Sequence, residues 1–291
     1  MKKILITGAQ SYVGMSFEQY VSRWPENYQV DTVDMRGEDW KQTSFAGYDA
    51  VFHVAGLVHM PKTKNAAEYA DLYKKVNTDL AVETARKAKA EGVKQFLFMS
   101  SASVYGLEGA VGRNVVITAD TPLNPADNYG LSKKNAEEQL LPMADDSFKI
   151  VILRPPMIYG KGCRGNYVTL AKLAKKLPVF PYMYNQRSML YIDNLSEFVR
   201  LMIDNEERGI FCPQNNEYTG TCDMVRLIAR ANGKKICMIK GFGWALKLMS
   251  HVTGLVNKAF GNLCYDFALS RYKQDYCVVN LTDSIAETEK K

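Results

Sequence analysis

Tyr129 and Lys133 have the clearest chemical purpose: they stand four apart in Tyr129-Gly130-Leu131-Ser132-Lys133, which puts both on one face of a helix start. A phenol titrates near ~10 when unperturbed, and a cation beside it favours the phenolate, so the pair suits proton transfer at a substrate oxygen. Lys133 is also placed to bind a nicotinamide ribose. A YxxxK spacing is common and carries little alone. Ser100-Ser101-Ala102-Ser103-Val104-Tyr105-Gly106 adds weight, because it leaves an apolar strand and puts the Ser101 hydroxyl where it can bond the same oxygen as Tyr129.

A second set of residues suits a dinucleotide. The first strand runs into Thr7-Gly8-Ala9-Gln10-Ser11-Tyr12-Val13-Gly14 and then a helix, the strand–turn–helix context that gives a glycine fingerprint meaning. Gly8 makes the tight turn, Gly14 lets helix and strand approach, and the amides around Ser11, Tyr12 and Val13 face a pyrophosphate. Ser11 stands where a third glycine is often found. Asp34 lies 26 positions after Gly8, near the ~20 expected of a ribose-binding acid. Its carboxylate accepts from ribose hydroxyls and favours NAD, whereas Arg36 beside it suits the 2′-phosphate of NADP. Ala55 and Gly56 close the run Phe52-His53-Val54-Ala55-Gly56 at the carboxyl edge, where ligands of such sheets bind. Asn77, on an intervening helix, offers an amide to the same site, and His53, inside an apolar strand, reads as packed.

The elements that must carry these residues are legible as alternation. Apolar runs at Ile4–Thr7, Val30–Asp34, Ala50–Ala55, Gln95–Ser101 and Lys149–Arg154 are separated by helical patterns such as Ala66–Ala90. The pattern predicts an α/β fold, a doubly wound parallel Rossmann sheet. After Arg154 a smaller C-terminal α/β region follows. Its helices are expected over Tyr167–Lys176, Leu195–Asn205 and Asp223–Ala231, its strands over Ser188–Ile192 and Gly209–Cys212. The predicted domains are therefore 1–160, with returning elements near 186–215, and a mainly substrate-binding 161–291.

Composition excludes several other classes. The chain has 291 residues, 47% hydrophobic, and 37 basic against 31 acidic side chains give +6. The basic residues are scattered, so no nucleic-acid groove is expected. The six cysteines show no CxxC pair, and no signal peptide precedes them, which fits reduced thiols in the cytoplasm. His53, His59 and His251 form no HxxxH pair, so no metal site is expected. Phe242–Phe260 is broken by polar residues and lacks a membrane span. It reads as an amphipathic helix or helix pair that packs on the fold or forms a lid, with a membrane-surface role as the alternative.

In order along the chain, TGAQSYVG, HVAG, VNTDL, MSSASVYG, YGLSK, LRPPMIYG, GNY and RSMLYIDNL resemble the extended short-chain dehydrogenase/reductase family, within its nucleotide-sugar epimerase/dehydratase group. The resemblance implies Tyr129 as acid/base, Lys133 as its modulator and ribose ligand, and Ser101 as donor to the substrate oxygen. It implies Asn166 and Arg187 near the diphosphate of a UDP-linked sugar, and a homodimer formed through helices containing Asp79–Lys89 and Tyr129–Leu140. Pro156 completes the cofactor set and Ser103 the substrate set. Dehydrating relatives carry an acidic pair after the hydroxyl residue. Ala102 and Ser103 stand there instead, so 4-epimerisation and 4-keto reduction are the reactions left. Epimerisation is put first, although Met157 stands where many epimerases have asparagine. A non-catalytic dinucleotide sensor or assembly protein is the alternative of another class.

Overall fold

The computed structural model describes residues 1–58, 66–252 and 254–290, with backbone alone at 66, 245, 246, 251, 252 and 255. His59 and the His251 side chain lie outside that description. Strands β1 (Lys2–Thr7), β2 (Tyr28–Val33), β3 (Ala50–His53) and β4 (Gln95–Met99) join Lys149–Leu153 and Gly209–Phe211 in one sheet. Every pairing in it is parallel, and the spatial order is Gly209–Phe211, Lys149–Leu153, β4, β3, β1, β2. Consecutive residues of β1, Ile4, Leu5 and Ile6, are all buried, and so is all of β4. Burial on both faces explains why these runs show no polar alternation. The order turns back at β1, whose neighbours are β2 and β3, so the loops after β1 and β3 flank a topological switch point.

Helix α1 (Tyr12–Val21) follows β1 directly. The predicted Ala66–Ala90 helix is α2 (Ala66–Tyr73), a π-helical stretch Lys74–Asp79 and α3 (Leu80–Ala90), without a gap. Such wide turns recur at functional sites, and this one carries Asn77. Helix α4 (Asn128–Leu140) starts at Asp127, whose side chain accepts from the Gly130 amide at 2.7 Å. Alanines at 81, 85, 88 and 136 pack among Leu5, Val51, Phe96, Phe98, Ile150 and Ile152, and their small side chains let α3 and α4 lie close to the sheet. Each large apolar side chain buried there contributes about 1.5–3 kcal/mol.

Two compact units interleave along the chain. The first comprises Met1–Gly106, Pro122–Pro155 and Ser196–Pro213, and the second Leu107–Thr121, Pro156–Leu195 and Gln214–Lys291. The second contains short parallel pairs, Met157–Tyr159 with Met189–Tyr191 and Val179–Pro181 with Cys237–Ile239. Helix α5 (Asn166–Lys176) lies in the same unit, while α6 (Ile192–Asp204) begins in it and continues into the first. Helix α7 (Thr221–Ala231) is followed by a pair, α8 (Gly243–Val252) and α9 (Gly254–Phe260), within the Phe242–Phe260 stretch. Its interior is tied by polar groups: the buried Tyr159 hydroxyl meets Ser284 Oγ at 2.6 Å and accepts from Asn215 at 3.2 Å. Among the described residues no helix is long and apolar enough to cross a membrane, and no metal-holding group of His, Cys, Asp or Glu occurs.

Candidate active site

The loops after β1 and β3 touch. A Cβ on Gly8, whose φ is 123°, would come within 2.8 Å of the Ala55 amide nitrogen, and one on Gly14 within 2.9 Å of Ile6 Cγ2. Only glycine fits either position, which brings the α1 N-terminus against the strand ends. Ser11 caps α1, accepting from the Gly14 amide at 3.4 Å. Tyr12 and Val13 are partly exposed in the first turn, where helix amides have no intrahelical acceptor. The residues present thus fit an anionic dinucleotide: a glycine cradle, a helix N-terminus and, after β2, a carboxylate. That carboxylate, Asp34, is held by Arg36, whose Nε donates at 3.0 and 2.9 Å and whose backbone amide donates at 2.9 Å. The Arg36 hydrogen bonds hold Asp34 down at about 2, so it is ionised at any physiological pH.

At the end of β4, Ser101 begins a short 3₁₀ turn, Ala102–Tyr105, accepting from the Ser103 amide at 3.1 Å and donating to Ser103 Oγ at 3.2 Å. Tyr129 stands in the first turn of α4, where Gly130 packs against the Ser103 carbonyl, so the loop carrying Ser101 and the helix carrying Tyr129 adjoin. Lys133 is 4% exposed, and its Nζ donates to the Met99 carbonyl at 2.8 Å while lying 4.6 Å from the centre of the Phe98 ring.

Burial acts on both groups in the direction of the neutral form. Tyr129 is pushed up to about 12, first by burial and against the Ser101 hydrogen bond that favours the phenolate. Lys133 is pushed down to about 7 by burial, with Glu137 opposing. Desolvation outweighs attraction because the ammonium is turned into the protein, toward Met99.

Asn77 lies beside Gly56 and holds the loop that follows it. It is fully buried, and its amide donates to the Leu57 carbonyl and Ser132 Oγ, both at 3.0 Å, and accepts from the Leu57 amide at 2.7 Å. It clamps the loop after Ala55 and Gly56 to the helix bearing Lys133. His53 is buried as predicted, with Nδ1 2.8 Å from Thr7 Oγ1 and its ring stacked near Phe96 and Phe98.

Sequence reading missed the groups that hold the site from behind. Gly130 lies against the Ser103 carbonyl, 2.4 Å from where a Cβ would be, so glycine there lets the first turn of α4 meet the Ser101–Ser103 loop. One turn beyond Lys133, Glu137 is 1% exposed and takes Arg154 Nε at 3.1 Å on both oxygens and Nη2 at 2.5 Å. Arg154 Nη1 donates to the Tyr105 hydroxyl at 3.0 Å, and Ser100 Oγ donates to Glu137. The signal was present as a third polar residue at four-residue spacing, Tyr129, Lys133, Glu137.

In the second unit, Pro156 is partly buried and Asn166 is exposed as the first residue of α5, after Gly165 at φ 87°. Arg187 bridges Thr219 and Leu263 through its backbone, and its Nη1 donates to the Lys258 carbonyl in α9.

Residues 4–211 match a family described as the NAD dependent epimerase/dehydratase family. A UDP-glucose 4-epimerase of Vibrio cholerae is 32% identical, with 92% of this chain and 88% of that protein covered. An N-acetyl-α-D-glucosaminyl-diphospho-ditrans,octacis-undecaprenol 4-epimerase of Escherichia coli O157:H7 is 27% identical over 71% of this chain and 64% of its own length. Among solved structures, a UDP-glucuronic acid 4-epimerase from Bacillus cereus in complex with NAD aligns with a TM-score of 0.71 at 17% identity, covering 98% of this chain and 96% of that one. At that identity the likeness concerns the fold.

Proposed function

The chain belongs to the NAD dependent epimerase/dehydratase family and is an enzyme; on that premise we propose that it interconverts the C4 epimers of a UDP-linked sugar. The 32% identity to a UDP-glucose 4-epimerase over 92% of the chain carries this choice. In this reading Gly8, Ser11, Tyr12, Val13, Gly14, Asp34, Ala55, Gly56 and Pro156 hold the dinucleotide, with Arg36 orienting Asp34. A bound dinucleotide supplies a reversible hydride acceptor for the sugar's C4 carbon.

The protein's part is the proton. In its phenolate form Tyr129 Oη takes the proton of the 4-hydroxyl and returns it to the same oxygen, while the Ser101 hydroxyl holds that oxygen. Lys133 stands one helical turn behind, and Ser103, Asn166 and Arg187 serve the rest of the substrate, the guanidinium suiting its diphosphate. Ala102 and Ser103 offer no carboxylate beside Ser101, so water elimination lacks its acid and base. Pro156-Met157, in place of the expected asparagine, favours a second reading, single reduction of a UDP-4-keto sugar by NAD(P)H. A cytosolic homodimer belongs to the same proposal.

The test is turnover of UDP-glucose and UDP-N-acetylglucosamine without added reductant, followed by NMR. Epimerisation is expected in the wild type, and a loss of about 10²–10⁴-fold in Tyr129→Phe. Stoichiometric NAD(P)H consumption with a 4-keto sugar, and no epimer formed, would transfer the assignment to reduction. Unchanged turnover in Tyr129→Phe would remove both.

A further inference from the structure

Within the second unit, the stretch that runs from the Cys237–Ile239 strand into α8 turns its large apolar side chains outward. Trp244 is 74% exposed, Leu248 63%, Phe242 51% and Met249 50%. Trp244 and Leu248 are four apart and share one face of α8, with Lys247 beside them. The exposure is not that of an unattached peptide. Asn257 of α9 donates to the Ser250 carbonyl at 3.0 Å and accepts from the Val111 amide at 3.1 Å. Val256 and Phe260 of α9 are buried, and the Phe260 ring lies 5.7 Å from that of Phe180. One side of the helix pair is therefore anchored, and α8 presents an apolar face outward.

The charged residues of this segment have one sign. From Lys234 to Tyr265 the chain carries Lys234, Lys235, Lys240, Lys247 and Lys258 and no aspartate or glutamate. All five lysines are exposed. Lysine is depleted from the centres of protein–protein interfaces, whereas exposed Trp and Leu on a short helix, with Phe just before it and lysines as the only charges of the segment, are the composition of a segment lying in a bilayer interface. Tryptophan itself favours the headgroup level. At 10 residues, α8 is about 15 Å long, enough to lie on a membrane but half of what is needed to cross one.

We propose that Phe242, Trp244, Leu248 and Met249, flanked by these lysines, dock the protein on an anionic phospholipid bilayer. The apolar side chains enter the headgroup–acyl boundary and the lysines stay with the lipid phosphates. This docking does not depend on the reaction proposed for Tyr129, because no residue of that site takes part.

The test is co-sedimentation of the full chain with vesicles of phosphatidylglycerol and phosphatidylcholine, read together with the fluorescence of the protein's tryptophans. Wild type is expected to pellet with mixed vesicles, shift its emission to the blue, and bind at least tenfold more weakly to phosphatidylcholine alone or at high salt. Trp244→Ser/Leu248→Ser is expected to lose at least tenfold in vesicle binding while keeping wild-type circular dichroism and turnover. Failure of wild type to bind mixed vesicles overturns the proposal, and so does undiminished binding by the double variant. Self-association that the double substitution abolishes, without vesicle binding, would assign the face to a second copy of the chain instead.

Discussion

At the scale of single residues, the candidate site was legible as motifs and the burial of its groups was not. Tyr129, Ser101, Gly8 and Gly14 stand in motifs whose spacing is itself the signal, and the packing of Gly130 against the Ser103 carbonyl brings the first two motifs together. Whether a lysine four residues away lowers a phenol depends on where its ammonium points, and Lys133 points to the Met99 carbonyl. His53 shows the same dependence on burial and gives a pH prediction. Burial, with Lys133 nearby, depresses it from 6.5 to about 3. The unfolded chain therefore binds a proton there that the folded protein excludes, and stability falls as pH drops from about 6.5 toward 3. The slope from this residue reaches about 1.4 kcal/mol per pH unit. In His53→Gln, which keeps a polar partner for Thr7, that contribution should vanish. Urea unfolding at intervals between pH 7 and 4 measures it, and an unchanged slope would acquit His53.

At the scale of elements, the alternation of strand and helix was readable because a strand buried on both faces leaves a continuous apolar run, but the joints between elements were not. The π turn at Lys74–Asp79 has no sequence mark, yet it decides that Asn77 faces Leu57 and Ser132. The Glu137–Arg154 pair is a joint of the same kind, linking α4 to the end of Lys149–Leu153 and, through Ser100 and Tyr105, to the loop after β4. Such a pair, with Glu137 at 1% and Arg154 at 7% exposure, costs desolvation to form and much more to break. Glu137→Gln is expected to destabilise the protein by about 3 kcal/mol, since it leaves the guanidinium without its counter-charge. The double change Glu137→Leu/Arg154→Met should cost less than the single one. If chemical denaturation shows the single change to be neutral, the network does not brace the site.

At the scale of the whole molecule, regular alternation fades near Arg154, and the chain comes back at Ser196–Pro213 to finish the first sheet. Gly209–Phe211 pairs in parallel with Lys149–Leu153, and Arg154 N donates to the Phe211 carbonyl at 2.8 Å. Buried Gln95, at the start of β4, donates to the carbonyls of Met202 and Glu207, each at 2.9 Å. Glu206 takes both Lys2 at 2.9 Å and Lys149 at 3.0 Å. Three strands of the first unit therefore complete their polar groups with residues 202–207. A fragment 1–155 would leave Ile150, Val151, Ile152 and Leu153, all buried in the full chain, on an open edge strand, which invites pairing between copies. It is expected to aggregate and to show no cooperative unfolding transition, whereas the full chain is expected to show one. Adding residues 186–215 through a flexible linker supplies the missing strand and α6 and should restore solubility. A monomeric 1–155 fragment with a cooperative melt would mean that the returning segment is an accessory to the sheet rather than part of its core.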